Sequence, residues 1–252
     1  MSGEELVGRE IFDEDYLPFY DEMLEERSDS EVEFILRLLD LPEGAELLDV
    51  PCGHGRIANR LAARGLQLTG IDRSAHFLDV ARSRASEAGV SVEYLEGDIR
   101  ELPFEGRFDA VLNWFTSFGY FDDDTNKRVL AGFRRVLRPG GKLLLEQASR
   151  EFLMANLPRH GGPAVILSER GDDLMIDKVT FDLSAGRSHT ERIMVRDGRV
   201  RRTEFSLSQP PASQLLEWLR EAGFNEVEAL DETGASFGPH SRRLVIRCRI
   251  AS

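Results

Sequence analysis

From Glu46 onward the sequence alternates short apolar strands with amphipathic helices, and this order constrains the fold more than any other feature. Residues 47–50 form the first buried strand, a glycine turn follows, and Ile57, Ala58 and Leu61 then recur at helical spacing. Four further strands follow in the same alternation, at residues 66–71, 92–95, 108–112 and 143–145. Because this alternation is typical of parallel sheets with helices on both faces, the sequence predicts a doubly wound α/β sheet.

Three further segments of the chain, at its start, within the alternation and at its end, also have patterns that predict secondary structure. Apolar stripes at helical spacing predict an N-terminal helical cap over residues 1–45. Between residues 160 and 208 apolar and polar residues alternate, and Asp197-Gly198 is a hairpin signal, so this segment is predicted to be an antiparallel β insertion. The last two strands, near 227–230 and 244–250, are too close for a crossover helix and are expected to be antiparallel. The predicted α/β domain, 46–159 and 209–252, thus has a seven-stranded, mostly parallel sheet.

Charge and cysteine content limit the partners and the compartment. The chain carries 45 acidic and 32 basic residues, a formal net charge of -13, which disfavours binding to phosphate backbones and to anionic membranes. Its two cysteines, Cys52 and Cys248, exclude a disulfide framework and indicate a reducing compartment. No secretory signal pattern is present, and nowhere do about 18 apolar residues follow one another. We therefore expect a cytoplasmic protein that binds neither nucleic acid nor membrane.

The glycine turn after the first strand is the most informative motif. It lies between a strand and a helix and reads Pro51-Cys52-Gly53-His54-Gly55-Arg56. Glycines let the backbone approach a ligand closely, and the start of a helix offers free N–H groups. The glycine spacing alone also fits the dinucleotide fingerprint.

Three carboxylates near this turn distinguish a dinucleotide-binding site from a site for another ligand. Asp49 lies just before it, where its side chain would face a ligand. Asp72 ends the second strand, positioned to accept hydrogen bonds from a ribose diol. Asp98 follows the third strand, where a carboxylate can accept from an adenine amino group, and Ile99 beside it can pack on the ring.

Together these residues resemble the class I S-adenosylmethionine-dependent methyltransferases of the small-molecule type. The resemblance covers about residues 46–147 and 211–249 and includes the Pro139-Gly140-Gly141 turn before the fifth strand. It implies a Rossmann-like methyltransferase fold and S-adenosylmethionine as the cofactor. The residues expected to contact the cofactor are Asp49, Cys52, Gly53, Gly55, Arg56, Asp72, Arg73, Asp98, Ile99, Asn113, Tyr16 and Tyr20. In this set Arg56 would either pair with the cofactor carboxylate or point to solvent. The two tyrosines would either close over the cofactor, whose sulfonium attracts aromatic faces, or only pack along their helix.

The motif departs from the family pattern at Pro51, where the family usually has its first glycine. Proline has no N–H and a fixed φ, so no backbone donor is available there. Contacts with the cofactor are therefore expected to shift to Cys52, Gly53 and Gly55.

The sequence says less about which residues contact the substrate or act in catalysis. The aromatic segment after the fourth strand offers Trp114, Phe115 and Phe118 as substrate-facing residues, although aromatic residues there are often only core. No catalytic residue is identified, and no metal-ligand spacing is present. The isolated histidines His160, His189 and His240 are the candidates for a base, although structural or exposed roles are more common. The insertion is expected to roof the substrate pocket or to form the interface of a homodimer.

We therefore expect an enzyme that transfers a methyl group from S-adenosylmethionine to an oxygen or nitrogen nucleophile of a small molecule. The protein would mainly supply alignment and exclusion of water, because the sulfonium is already a good leaving group. Two alternatives stay open: a nicotinamide-dependent oxidoreductase, and a non-catalytic module that binds S-adenosylmethionine. The final strand pair and Gly97-Asp98 count against the first, and the aromatic wall counts against the second.

Overall fold

The computed structural model describes residues 11–158 and 162–251. Its strands are β1 (Glu46–Asp49), β2 (Gln67–Asp72), β3 (Val92–Glu96), β4 (Phe108–Asn113), β5 (Leu137–Ala148), β6 (Ala164–Arg170), β7 (Asp173–Asp182), β8 (Arg187–Arg196), β9 (Arg199–Ser208), β10 (Asn225–Leu230) and β11 (Arg243–Arg249). Its helices are α1 (Leu17–Leu39), α2 (Arg56–Ala63), α3 (Ala75–Glu87), α4 (Asp123–Val136), α5 (Arg150–Asn156) and α6 (Ala212–Glu221).

Seven of the described strands form the main sheet, in the order β10-β11-β5-β4-β1-β2-β3. The five strands from β1 to β5 run parallel to one another, whereas β11 is antiparallel to both β5 and β10. The predicted doubly wound sheet with an antiparallel final strand pair is therefore confirmed.

Helices cover both faces of the main sheet. α1 and α2 pack on one face through Ile35 and Leu61, which are fully buried. α4 covers the opposite face through Phe133. Leu47 and Leu48 of β1 belong to the two opposite cores and are both completely buried, as expected for a central parallel strand. This double burial explains why the strand reads as a continuous apolar run.

The other four strands form a second, fully antiparallel sheet in the order β6-β7-β8-β9. The turn between β8 and β9 consists of Asp197 and Gly198, with φ of 49° and 72°. Positive φ at both central residues is what a two-residue hairpin requires, and it favours this Asp-Gly pair. The predicted antiparallel insertion is thus confirmed, while the division of the chain into cap, α/β domain and insertion stays a prediction.

Across residues 11–158 and 162–251, no helix combines the length and the apolar character that a membrane span requires.

Candidate functional site

A pocket of about 1030 Å³ opens at the carboxyl ends of β1, β2 and β4. The turn after β1 and the end of β2 form one wall, and the start of α1 with one face of the second sheet forms the other. Ligands of open parallel sheets bind at this edge, where loops leave the strands. The N-terminal helix, the main sheet and the second sheet therefore all contribute to one site.

The two glycines of the turn have different physical roles. Both have positive φ, 54° at Gly53 and 76° at Gly55, a region that favours glycine. A Cβ on Gly55 would lie 2.8 Å from the Cβ of Ala81 and would also collide with Tyr94. A Cβ on Gly53 would meet no atom within 4 Å, and Gly53 lines the pocket. Gly55 therefore permits close packing, whereas Gly53 leaves open surface for a ligand.

Three backbone N–H groups of this turn are already bonded within the protein. Cys52 donates to the carbonyl of Ile71 at 2.9 Å, and Gly55 donates to the carbonyl of Cys52 at 3.1 Å. Gly53 donates to Oδ2 of Asp72 at 2.8 Å. The turn consequently offers a ligand its open surface rather than the N–H donors expected at these positions.

Asp72 organises this corner of the pocket at the end of β2. Its Oδ2 accepts from Gly53, and its Oδ1 accepts from the N–H of Ser74 at 2.9 Å. Burial raises the pKa of its carboxyl, against the lowering effect of these hydrogen bonds. A carboxylate has about four lone-pair positions, and the backbone N–H groups of Gly53, Ser74 and Arg73 use three of them, so one remains for a hydroxyl group of a ligand.

Asp49 ends β1 and is buried, with a carboxylate that accepts no hydrogen bond from any described residue. Burial raises its pKa to about 8, the nearby Arg56 opposes this rise, and the charge of Asp72 adds to it. Asp49 also lines the pocket. A positively charged group of a ligand would complete its interactions.

Arg56, the first residue of α2, is held by the N-terminal helix. Its Nη1 donates to the carboxylate of Glu31 and, at 3.2 Å, to Oγ of Ser28. Its Nη2 is buried with no partner among the described residues, and its guanidinium lies 5.3 Å from the ring centre of Phe115. The predicted arginine therefore lines the pocket with one donor group left for an anionic ligand atom.

Aromatic side chains from α1 and from the segment before it close another side of the pocket. Tyr16 stacks on Tyr20 with 4.3 Å between ring centres and 18° between planes, and it also contacts Phe77. Burial raises the pKa of both tyrosines, so their hydroxyl groups stay protonated near neutral pH. These residues can donate hydrogen bonds and exclude water from the pocket.

The loop after β4 has an unusual backbone at the pocket wall. Phe115 and Thr116 have φ of 60° and 57°, the left-handed region that side chains other than glycine rarely adopt. The carboxylate of Glu146 accepts from the N–H of Phe115 at 2.8 Å, and its carbonyl accepts from Thr116 at 3.1 Å. Such backbone conformations cluster at functional sites, where the surroundings hold them in place.

Comparison with known proteins shows which proteins the chain resembles. Residues 47–141 match the family model described as a methyltransferase domain. The putative methyltransferase YqeM of Bacillus subtilis is 39% identical over 110 residues, which are 42% of this chain and 43% of that protein. The fatty-acid O-methyltransferase of Mycolicibacterium smegmatis is 32% identical over 184 residues, 71% of this chain and 64% of that protein. The chain thus spans less than half of YqeM and under two thirds of the second relative.

The fold comparison agrees with these sequence matches. The CcbJ methyltransferase from Streptomyces caelestis superposes with a TM-score of 0.76 at 22% identity, over 90% of each chain. The matched segment is therefore similar in sequence to methyltransferase domains, and the chain has the Rossmann-like fold of S-adenosylmethionine-dependent methyltransferases. The matched segment includes the glycine turn and the ends of β1, β2 and β4.

Four of the residues predicted to contact the cofactor or the substrate are not among those that line the pocket, and one of them is Gly55, which packs near Ala81 and Tyr94. Asn113 is completely buried, and its Nδ2 donates to the carbonyl of Val50 at 2.7 Å. This hydrogen bond stabilises the start of the glycine turn. Phe118 is buried in the core on the α4 side of the sheet. The carboxylate of Asp98 accepts from the guanidinium of Arg100 at 2.8 and 3.0 Å. Ile99 and Arg73 do line the pocket, as do Cys52, Trp114 and Phe115.

The histidines that were candidates for a base do not form part of the described site. His189 is exposed, and its place in β8 puts it on the opposite face from Arg192, which lines the pocket. His240 is exposed in the loop between β10 and β11. His160 lies outside the described residues. The histidine that does line the pocket with a buried side chain is His54, and burial lowers its pKa to about 4.

One group of described side chains has the spacing of metal ligands. Asp21, Glu25 and His54 place ligand atoms within 4.8 Å of one another. However, both oxygens of Asp21 accept from Arg84, at 2.8 and 3.0 Å, and Glu25 is paired with Arg60 at 2.5 Å. These guanidinium groups occupy the carboxylates and repel a cation, so the geometry favours an ion-pair network.

Sequence reasoning missed the arginines that the second sheet brings to the pocket. Arg192 on β8 and Arg201 on β9 line it, as does Phe205. Their strands pair so that Thr203 faces Arg192 and Met194 faces Arg201, which puts both arginines on one face. The available signal was that Arg192 alternates with Ile193 in a strand pattern, but alternation alone does not say which face is covered.

Proposed function

We propose that this pocket binds S-adenosylmethionine and that the protein transfers its methyl group to an oxygen or nitrogen atom of a small molecule. The observation that carries the proposal is the clustering of Asp49, Asp72 and Arg56 around the open surface at Gly53. Each of these side chains has a polar group that other described residues leave wholly or partly unsatisfied.

The unsatisfied groups fit the chemistry of the cofactor. The buried carboxylate of Asp49 suits the ammonium of the methionine part, and the buried Nη2 of Arg56 suits its carboxylate. The remaining acceptor position of Asp72 suits a hydroxyl of the ribose, and Ile99 can pack on the adenine ring. Bound there, the cofactor would supply an electrophilic methyl group on a sulfonium, which is a good leaving group.

The protein's own contribution is alignment and exclusion of water. The stacked rings of Tyr16 and Tyr20 and the strained loop at Phe115 form rigid walls next to the cofactor groups. Rigid walls hold the acceptor atom in line with the carbon–sulfur bond, and such orientation contributes several kcal/mol to catalysis. The tyrosines stay protonated, so they orient the acceptor as hydrogen-bond donors rather than as bases.

The enclosed position of the site supports a small acceptor. α1 and the second sheet both line the pocket, and the net charge of -13 disfavours nucleic acid. A nicotinamide-dependent oxidoreductase is disfavoured by the antiparallel pair β10–β11. A non-catalytic binding module is disfavoured because the pocket extends past the cofactor groups to an aromatic wall.

We also propose a cytoplasmic location and a homodimer. Two buried free cysteines suit a reducing compartment. On the second sheet, the face away from the pocket leaves Val165, Leu167 and Val200 more than half exposed, which suits contact with a second copy. Sedimentation measurements test this: a dimer is expected, and a monomer at all concentrations would refute it.

The proposed reaction is tested by a screen of small amines, phenols and acids with isotope-labelled S-adenosylmethionine, read by the mass increase of the acceptor. Methylation of at least one acceptor, lost when Asp49 and Asp72 are both replaced by Asn, is the expected result. Cofactor binding without methylation of any member would favour the non-catalytic module.

A further inference from the structure

The pocket wall formed by the second sheet contains a buried arginine that the proposed cofactor contacts do not use. Arg192 on β8 is buried, and its guanidinium lies between the rings of Tyr16, Tyr20 and Phe205, at 5.8, 5.8 and 5.3 Å. This aromatic surrounding keeps water away from the charge. A charged group in such a place needs polar partners in the protein or in a ligand.

Two of the five N–H groups of Arg192 are left for a ligand. Nε and Nη2 donate to the two oxygens of Asp177, each at 2.7 Å, and Nη2 also donates to the hydroxyl of Tyr20 at 3.2 Å. Nη1 is buried and has no partner among the described residues. Three N–H groups are therefore used, and the two on Nη1 are left on a residue that lines the pocket.

A second donor on the same wall has the same property. Arg201 lies diagonally across the strand pair from Arg192 and also lines the pocket. Its Nη1 and Nη2 pair with Asp13, and its Nε is buried without a partner among the described residues. The carboxylates of Asp13 and Asp177 are thus engaged by the two guanidinium groups, while the wall presents unpaired N–H donors.

We propose that Arg192 binds an oxyanion, such as a carboxylate, on the methyl acceptor, at a distance from the atom that is methylated. This inference rests on the proposed function, because it assigns the substrate side of the same pocket. An oxyanion has enough lone pairs for Nη1 of Arg192, Nε of Arg201 and the hydroxyl of Tyr16. Guanidinium groups also bind charged oxygens more strongly than neutral ones, so an acidic acceptor is preferred over its amide.

The test uses benzoate and benzamide, which have nearly the same shape but differ in charge. Each is titrated by calorimetry into the protein saturated with S-adenosylhomocysteine. We expect benzoate to bind at least about tenfold more tightly than benzamide, a difference of about 1.4 kcal/mol. Equal binding of the two, or binding of neither at millimolar concentration, would overturn the proposal.

Variants then assign that preference to Arg192. Removing the arginine alone would leave Asp177 as an unpaired buried charge, so the pair is replaced together as Arg192→Gln with Asp177→Asn. The matched control is Arg202→Gln with Glu191→Gln, an ion pair on the other face of the same sheet. The double variant Arg192→Gln, Asp177→Asn should lose the preference for benzoate, and the control double variant should keep it.

A third variant separates charge from geometry. Arg192→Lys keeps a positive charge beside Asp177 but has no planar Nη1 group, so it should also lose the preference. Retention of the preference in both the double variant and Arg192→Lys would overturn the proposal, whatever their melting temperatures. S-adenosylhomocysteine should bind all variants within a few-fold. Its failure to bind the unmodified protein would instead overturn the proposed function, and this inference with it.

Discussion

Asp49 and Asp72 have the same charge and lie at neighbouring strand ends, yet their surroundings differ. Asp72 accepts hydrogen bonds from Gly53 and Ser74, whereas Asp49 accepts none from the described residues. Both could be predicted from the sequence, because a strand end is readable and carboxylates there face the ligand edge. Their hydrogen bonds could not be predicted, since these depend on the exact path of the turn.

Replacing Asp72 is expected to affect both binding and stability. Asp72→Asn keeps one acceptor oxygen for the turn but places an amide NH2 against the other backbone N–H, so it should weaken S-adenosylhomocysteine binding by ~1.5–3 kcal/mol and lower the free energy of unfolding by less than Asp72→Ala does. Asp72→Ala leaves the N–H groups of Gly53 and Ser74 without their acceptor and should also lower the free energy of unfolding by ~1–3 kcal/mol. Calorimetry and thermal melts measure both effects.

An exposed carboxylate provides the control for these variants. Asp79 on α3 pairs with Arg82 at the surface, and Asp79→Asn should change neither binding nor melting. Normal affinity in Asp72→Asn would show that this carboxylate does not hold the cofactor.

The raised pKa of Asp49 predicts a pH-dependent stability of the cofactor-free protein. Its pKa is about 8 in the folded state against 3.8 for the unperturbed group, so the folded protein keeps a proton that the unfolded chain releases. The resulting stabilisation is complete below the unfolded pKa and is lost as the pH rises through the folded pKa.

Asp49→Asn should remove this pH dependence. Across the range between the two pKa values, urea unfolding should show the variant becoming more stable relative to the unmodified protein, by roughly 5 kcal/mol near pH 8. Comparing the two proteins cancels the contributions of other titrating groups. Parallel stability curves for the two proteins would contradict the assignment of a protonated, desolvated Asp49.

At the scale of elements, ion pairs join the second sheet to the N-terminal segment above the pocket. Arg196 on β8 pairs with Asp15 at 2.6 Å, and Arg201 on β9 pairs with Asp13. The alternating pattern predicted these strands, but it could not show that arginines rather than apolar residues face the pocket. Similarly, Phe118 was predicted to face the substrate and lies in the core, because the sequence does not give the direction of the loop after β4.

Replacing β6 to β9 by a short Gly-Ser linker is expected to separate cofactor binding from acceptor turnover. The cofactor groups Asp49, Asp72 and Arg56 lie outside the replaced strands, so affinity for S-adenosylhomocysteine should change by only a few-fold. Turnover of any acceptor found in the screen should be lost, because Arg192 and Phe205 go with the sheet. Full turnover in a soluble linker variant would show that the second sheet does not choose the substrate.

At the scale of the whole molecule, the mostly parallel main sheet and its antiparallel final strand pair were predicted from the sequence, whereas the order of its strands was not. Parallel strands buried on both faces give continuous apolar runs, and the short spacing before β11 indicated an antiparallel pair. The position of the second sheet over the carboxyl edge could not be derived, because it depends on long-range contacts such as the hydrogen bond from Arg192 to Tyr20. The pocket residues at the strand ends of the main sheet were therefore more predictable than those on the second sheet.

The central claim is that this pocket is built for S-adenosylmethionine, and calorimetry tests it most directly. S-adenosylmethionine, S-adenosylhomocysteine and NAD are titrated separately into the protein. We expect at least one of the first two to bind with a Kd of ~1–100 µM, and NAD to bind far more weakly. Tighter binding of NAD than of both S-adenosyl compounds would contradict the account.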